Sequence, residues 1–388
     1  MIAKLLKWFI ITICCITVLS IVTLYITGNG FLLKAIRVTY LTGHKTAFLD
    51  DYKYFDNHII GSSKGQPWAV SEDYNSVQST PILDSIHKKT HTIAYLIIKN
   101  DSLWYERYYD GYNEHSLTNS FSMAKSIISL ILGKAIELGY IQSIDDKVKT
   151  YLPQLKGKFA DELTLKHLVS MRSGLQWDES YYSPFSITTK AYFYNNLSKA
   201  MLNLPISSKP GDRFKYQSGD TQLLAMVLQK TLPMSISEFL SRYFWIPMGA
   251  EHNALWQIST DDNLEKAYCC VASNARDFAR FGKLYLNHGN WNNRQLIDSN
   301  YVQQSITAAA EDSPDYGYAW WLGNYKRKPF YFMNGHLGQY VISIPEDDLI
   351  IVRLGHQTDG LGVHNPQGAF YQYIEQAYLM MDRKDFMK

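Results

Sequence analysis

Strand-forming signals in this chain lie near its two ends, and that placement limits the folds open to it. Thr92–Lys99 (Thr-Ile-Ala-Tyr-Leu-Ile-Ile-Lys) is rich in β-branched and aromatic residues. Asn100-Asp101 is a turn signal and Ser102–Tyr109 alternates, so the two runs read as a hairpin. Strand signals return only at Tyr318–Leu322, Pro329–Met333, Gln339–Ile344 and Leu349–Leu354. From about 140 to 310 the pattern is mostly helical, clearest at Leu163–Met171, Thr221–Leu232, Ile236–Tyr243 and Asn274–Asn287. An amphipathic helix over Gln367–Met381 follows the last strand. Strands at both ends with helices between them point to one α+β domain, residues 91–388, carrying a largely helical insert at about 140–310. Residues 31–90 mix polar and aromatic residues with Gly61, Gly65, Pro67 and Pro81. They read as a lead-in wrapped on the domain, with a helix near Ile82–Lys88. A length of 388 residues would otherwise suggest two or three domains.

Residues 1–30 form a unit of their own. Trp8–Ile26 is almost unbroken apolar sequence behind Lys4 and Lys7. Nineteen residues at 1.5 Å rise span roughly 28 Å, about one hydrocarbon core. The run ends in Leu-Tyr-Ile-Thr-Gly-Asn-Gly without a small-x-small site, so a retained transmembrane anchor is expected over a cleaved signal. Lys34 and Arg37 beyond the span leave the charge bias weak, and a short inner tail with an extracytoplasmic domain is the simpler arrangement.

Composition excludes several roles. Hydrophobic residues make up 46% and charged residues 19%, which rules out a disordered or fibrous chain. The net charge is +2 with no basic tract, so no nucleic-acid partner is expected. The four cysteines form two adjacent pairs, Cys14–Cys15 and Cys269–Cys270. Neither has zinc-ligand spacing, a disulfide framework is not expected, and Cys269 and Cys270 read as small buried residues. Nothing in the cysteine count contradicts an oxidising compartment. His87 and His91 have helical spacing but no carboxylate placed near them, so no metal is expected. Glu114-His115 and Glu251-His252 read as solvated loops. No cofactor motif is present: there is no Walker A, no G-x-G-x-x-G after a strand and no H-E-x-x-H.

What remains is S-x-x-K, which occurs at Ser85–Lys88 and at Ser122–Lys125. Ser85 lies in a polar, lysine-rich segment. Ser122 opens the most apolar helical stretch of the chain, with Thr118–Ser120 as candidate caps and Gly139 as its stop. Residues three apart share a helix face, so Lys125 can reach the Ser122 hydroxyl. The helix N-terminus favours a developing oxyanion. Burial would lower the Lys125 pKa and let its neutral amine take the serine proton.

Two further segments could complete such a site. Tyr216 lies in Pro-Gly-Asp-Arg-Phe-Lys-Tyr-Gln-Ser-Gly-Asp, where a phenol can carry a proton if a nearby cation lowers its pKa. His336 lies in Asn-Gly-His-Leu-Gly-Gln, with Gly335 and Gly338 allowing close approach of a ligand and the Gln339 N–H able to donate to an oxyanion.

Taken in order, Ser122-Met-Ala-Lys125, Tyr216-Gln-Ser218 and His336-Leu-Gly338 resemble the three motifs of the serine β-lactamase and penicillin-binding-protein superfamily. The nearest branch resembles the class C β-lactamase-like esterases, D-amino-acid peptidases and 6-aminohexanoate-dimer hydrolases. The resemblance implies an antiparallel sheet flanked by helices, Ser122 as the acylated nucleophile and Lys125 as its base partner. It implies Tyr216 as proton shuttle and the backbone N–H groups of Ser122 and Gln339 as the oxyanion hole. Ser218, His336 and Gly338 would then bind substrate, with Tyr181 and Tyr182 lining the site from the insert.

Two departures matter: Ser218 stands where β-lactamases carry Asn, and His336 where they carry Lys. Loss of that fixed cation argues against an efficient β-lactamase. The expectation is an anchored serine hydrolase acting on a small-molecule ester or amide. A D,D-carboxypeptidase or penicillin-binding protein is the second reading, and a catalytically silent peptidoglycan- or partner-binding protein is the alternative outside enzymes.

Overall fold

In a computed structural model, which describes residues 1–385, strands from both ends of the chain do share a sheet. Its seven strands run in the order Trp321–Tyr325, Lys328–Gly335, Gln339–Ile344, Leu349–Gly355, Thr92–Lys99, Ser102–Tyr108 and Ala69–Val70. Every pairing is antiparallel except that of the short edge strand Ala69–Val70. The seam between the two ends is Thr92–Lys99 against Leu349–Gly355, with Ile97 opposite Ile351. First of the C-terminal strands, Trp321–Tyr325 begins three residues after the expected Tyr318, because Tyr318 and Ala319 pack instead beside the central helix.

Alternation along these strands divides the core. Ala94, Leu96, Ile98, Ile350 and Val352 face one side, while Tyr95, Ile97, Leu349 and Ile351 face the other. The first side is covered by Ala275–Leu286 and, behind it, the helices Ala124–Glu137 and Ser218–Thr231. The second is covered by Pro81–Lys89 and the final helix Ala369–Asp385. Both faces of the sheet are therefore buried, which explains why its central strands are apolar throughout rather than alternating.

The segment between the strand groups is not purely helical. It contributes Ala254–Ser259, Leu264–Glu265 and Val271–Ser273 to a second, five-stranded sheet with Asn57–Ile60 and Thr118–Asn119. These strands are short and buried, so they carry no alternation visible in sequence.

Ala124–Glu137 is buried on nearly every side from Ala124 to Ala135 and ends at Gly139, whose φ is +76°. Its start differs from expectation. None of Thr118 to Ser120 caps it: Thr118 and Asn119 are strand residues paired with Ser273 and Ala272, and the Ser120 hydroxyl donates to the Phe121 carbonyl. The chain enters through a 3₁₀ turn, Phe121–Met123, with Phe121 held at a φ of +46°. A bulky residue in that region is strained and persists only where the surroundings impose it. Here the Asn119 side chain accepts from the Phe121 N–H at 2.9 Å, fixing the turn that presents Ser122.

The N-terminal helix Ile2–Ile26 is long and apolar enough to cross a membrane, and it is exposed along its length apart from Leu24, which packs half-buried on the main core. It leads into Phe31–Val38, whose Phe31, Leu32, Ala35 and Val38 join the main core.

Candidate active site

The three motifs converge although 93 residues separate Lys125 from Ser218. Lys125 is 1% exposed, and its Nζ lies 2.9 Å from Ser122 Oγ, 3.0 Å from Ser218 Oγ and 2.8 Å from the Tyr268 carbonyl oxygen. Burial pulls its pKa down to about 8 against the opposing charges of Glu179 and Asp220. A sizeable neutral fraction near pH 7 to 8 follows, and a neutral amine at this distance can accept the Ser122 proton. The other motif copy, Ser85 and Lys88, is exposed on its helix.

Tyr216 stacks beside this amine, with Lys125 Nζ 5.2 Å from its ring centre, and its phenol is hydrogen-bonded to Ser122. The expected lowering of its pKa does not occur. Burial and the negative charge of Glu179 raise it, and the Ser122 hydrogen bond offsets this only in part. Tyr216 is thus a proton donor at neutral pH rather than a phenolate base.

Glu179 is the acidic group that the motifs do not announce. Its carboxylate accepts from the Ser218 N–H at 2.7 Å, the Ser218 hydroxyl at 2.6 Å, the Tyr181 hydroxyl at 2.7 Å and the Trp177 indole at 2.6 Å. An acid between two aromatics, Trp177-x-Glu179-x-Tyr181, is the only sequence signal for it. Ser218 consequently has a role beyond the one expected of it. It is 1% exposed and its hydroxyl links Glu179 to Lys125, which places it in the proton network as well as in the lining of a cavity that opens at Ser122. Asp220, equally buried, accepts from Ser173 and Gln217, and burial raises its pKa to about 7.

His336 sits where the strands Lys328–Gly335 and Gln339–Ile344 turn. Its ring lies 5.5 Å from Phe121, 5.0 Å from Tyr181 and 6.4 Å from Tyr182. Burial lowers its pKa to about 4, so the ring is neutral, and its Nε2 has no hydrogen-bond partner. The third motif therefore holds no cation. Gly335 lines a cavity that opens at Ser122, and both it and Gly338 are closely packed. A Cβ on Gly335 would lie 2.3 Å from the Ser120 carbonyl oxygen, and one on Gly338 2.4 Å from Arg353 Nη1. Arg353 in turn holds the motif, donating to the carbonyls of Leu337 and Gly338 at 2.9 and 2.7 Å. Gly338 and Gln339 are buried and line neither cavity at the site, and the Gln339 side chain bonds Gly355 and the His336 carbonyl. Gly335→Ala should lower stability by about 1–3 kcal/mol through backbone overpacking, measurable as a fall in Tm.

Two other expectations are revised. Cys269 and Cys270 are buried but joined to each other by a disulfide, a ring between neighbours that closes no loop. The ring directly follows Tyr268, whose carbonyl receives Lys125. Glu251 is not a solvated loop acid: it pairs with Arg280 at 3.2 Å, while His252 contacts His115 at 2.9 Å. His87 is buried among Tyr95, Tyr109 and Tyr373, and no metal-binding cluster occurs among the described residues.

A fold of this shape, with a serine–lysine pair at the head of its buried helix, is that of the β-lactamase and penicillin-binding-protein superfamily. The beta-lactamase family model matches residues 81–371, and the chain belongs to that family. It is 23% identical over 303 residues to the 6-aminohexanoate-dimer hydrolase of Paenarthrobacter ureafaciens, covering 72% of this chain and 76% of that one. A Bacillus anthracis structure named for the same hydrolase superposes with a TM-score of 0.74 at 22% identity, over 85% of this chain and 92% of that one. EstCE1, a hydrolase with promiscuous acyltransferase activity, superposes with a TM-score of 0.57 at 13% identity, over 76% and 98%.

Proposed function

We propose that the chain is a serine hydrolase that cleaves an ester or amide through an acyl-enzyme on Ser122. The observation that carries this reading is the buried Lys125 amine, its pKa depressed, at 2.9 Å from Ser122 Oγ. Neutral Lys125 takes the Ser122 proton as Oγ attacks the substrate carbonyl. The backbone N–H groups of Ser122 and Gln339 are the proposed donors to the oxyanion, the buried Gln339 backbone lying between Leu337 and Tyr340, which line the wider cavity at Ser122. The proton held by Lys125 returns by way of Tyr216 to the leaving oxygen or nitrogen as its bond to carbon breaks. Water then attacks the acyl group, gives its proton back through the same pair, and releases the acid with Ser122 restored.

Neutral His336 favours ester or amide substrates over β-lactams, whose carboxylate calls for a fixed cation. The hydrolase names of the relatives agree with this class. Mass spectrometry of the chain with a nitrophenyl ester should find one acyl group on the Ser122 peptide, and its absence would overturn the reading. We also propose that Ile2–Ile26 anchors an extracytoplasmic domain, a placement with which the Cys269–Cys270 disulfide agrees.

Glu179 provides a separate check. Its charge raises the Lys125 pKa, so Glu179→Gln should move the acid limb of the pH–rate profile to lower pH. The same change should lower kcat/KM by about tenfold through the loosened Ser218 bridge. A merely structural glutamate would leave the limb in place.

A further inference from the structure

Ser122 lies at the junction of two cavities of different character. The wider one opens past Tyr216 and Trp321 to Gln357, Thr358, Asp359 and His364. The narrower one, about 740 Å3 with its mouth included, runs from Ser122 past Phe121 and Phe193 to Ala35, Tyr40 and Ala47. Tyr181, Tyr182 and His336 line both.

Resting on the hydrolase reading, we propose that the narrow cavity holds an unbranched apolar acyl chain and the wide cavity the polar leaving group, so that the substrate is a medium- or long-chain acyl ester or amide. Tyr216, the group placed to protonate a leaving atom, lines the wide cavity and not the narrow one, which assigns the two sides. Among the described residues no carboxylate lines the narrow cavity, and the one lysine or arginine lining it, Lys45, is exposed. Its histidine, His336, is held neutral by burial. A charged group drawn into such a space would lose its hydration without gaining a partner, whereas methylenes gain by leaving water.

The outer wall fits the same chemistry. Ala35, Tyr40 and Ala47 belong to the stretch that directly follows the apolar helix Ile2–Ile26. Leu41, 77% exposed, adjoins the lining residue Tyr40, and Phe185, 75% exposed, adjoins the lining residue Pro184. Two exposed apolar side chains on separate segments thus stand next in sequence to residues of the cavity wall.

The test is the chain-length profile of kcat/KM for nitrophenyl acetate, butyrate, octanoate and laurate, using the full chain in phospholipid nanodiscs. Each buried methylene is worth roughly a fourfold gain, so burial of even two of the extra methylenes of octanoate should raise the octanoate-to-acetate ratio above about tenfold. Ala47→Trp, which narrows the cavity from a loop, should bring that ratio toward one, and Ala35→Phe should do so from the helix side. Calorimetric titration of Ser122→Ala with decanamide, blanked against empty nanodiscs, should show one site that Ala47→Trp removes. An enzyme that acylates Ser122 with acetate and octanoate equally well overturns the acyl cavity and leaves the hydrolase reading intact. Failure of every ester to acylate Ser122 overturns the hydrolase reading, and the decanamide titration then decides the cavity alone: no site, no acyl pocket.

Discussion

Ser122→Ala should lose covalent labelling by a fluorophosphonate and at least about three orders of magnitude in ester kcat/KM. The expectation rests on Ser122 Oγ being the one hydroxyl that both touches Lys125 and opens to the two cavities. Ser218 Oγ also touches Lys125, but it is buried and engaged with Glu179. A Ser218→Ala chain should therefore still label, while Ser122→Ala should not. Labelling that survives Ser122→Ala would move the nucleophile elsewhere. The folded state of each variant is read from its melting transition, so that loss of chemistry is separated from loss of structure.

The second large effect concerns Lys125. Its active form is the neutral amine, and burial brings its pKa from 10.5 to about 8. A base must be unprotonated to work, so kcat/KM should fall tenfold for each pH unit below about 8 and level off above it. Lys125→Ala should cost about three orders of magnitude. Lys125→Arg should be nearly as inactive, because a guanidinium does not give up its proton in this range. Substantial activity in Lys125→Arg, or a profile flat between pH 6 and 9 for the unchanged chain, would make Lys125 an electrostatic aid rather than the base.

Much of the fold was legible because its signals are local. Thr92–Lys99 and Gln339–Ile344 begin and end where β-branched residues and turn signals place them. Gly139 stops the central helix as a left-handed C-terminal glycine should. A cap at Thr118–Ser120 does not form because Thr118 and Asn119 pair with Ser273 and Ala272, far along the chain, and the Ser120 N–H donates to the Val271 carbonyl, so that long-range pairing overrides local capping preference. The disulfide of Cys269 with Cys270 was not legible, since adjacent cysteines carry no framework spacing.

The same distinction runs through the site. Ser122 and Lys125 are three apart on one helix, so their contact follows from spacing alone. The pKa of Tyr216 does not follow from its own segment, because its direction is set by burial and by Glu179 on another loop. Glu179 itself acquires meaning only when the fold lays its loop against the start of Ser218–Thr231.

The seam of the sheet has a consequence for how the chain is made. Thr92 and Arg353, hydrogen-bonded across that seam, are 261 residues apart. During synthesis the hairpin Thr92–Tyr108 emerges early, with both faces apolar and one long edge unpaired. It must wait for Leu349–Gly355 before that edge closes, and closing so long a loop is slow compared with forming the helices in between. Through that interval the hairpin edge is an aggregation hazard, so assembly of this domain depends on protection of a nascent strand until nearly the whole chain has been delivered.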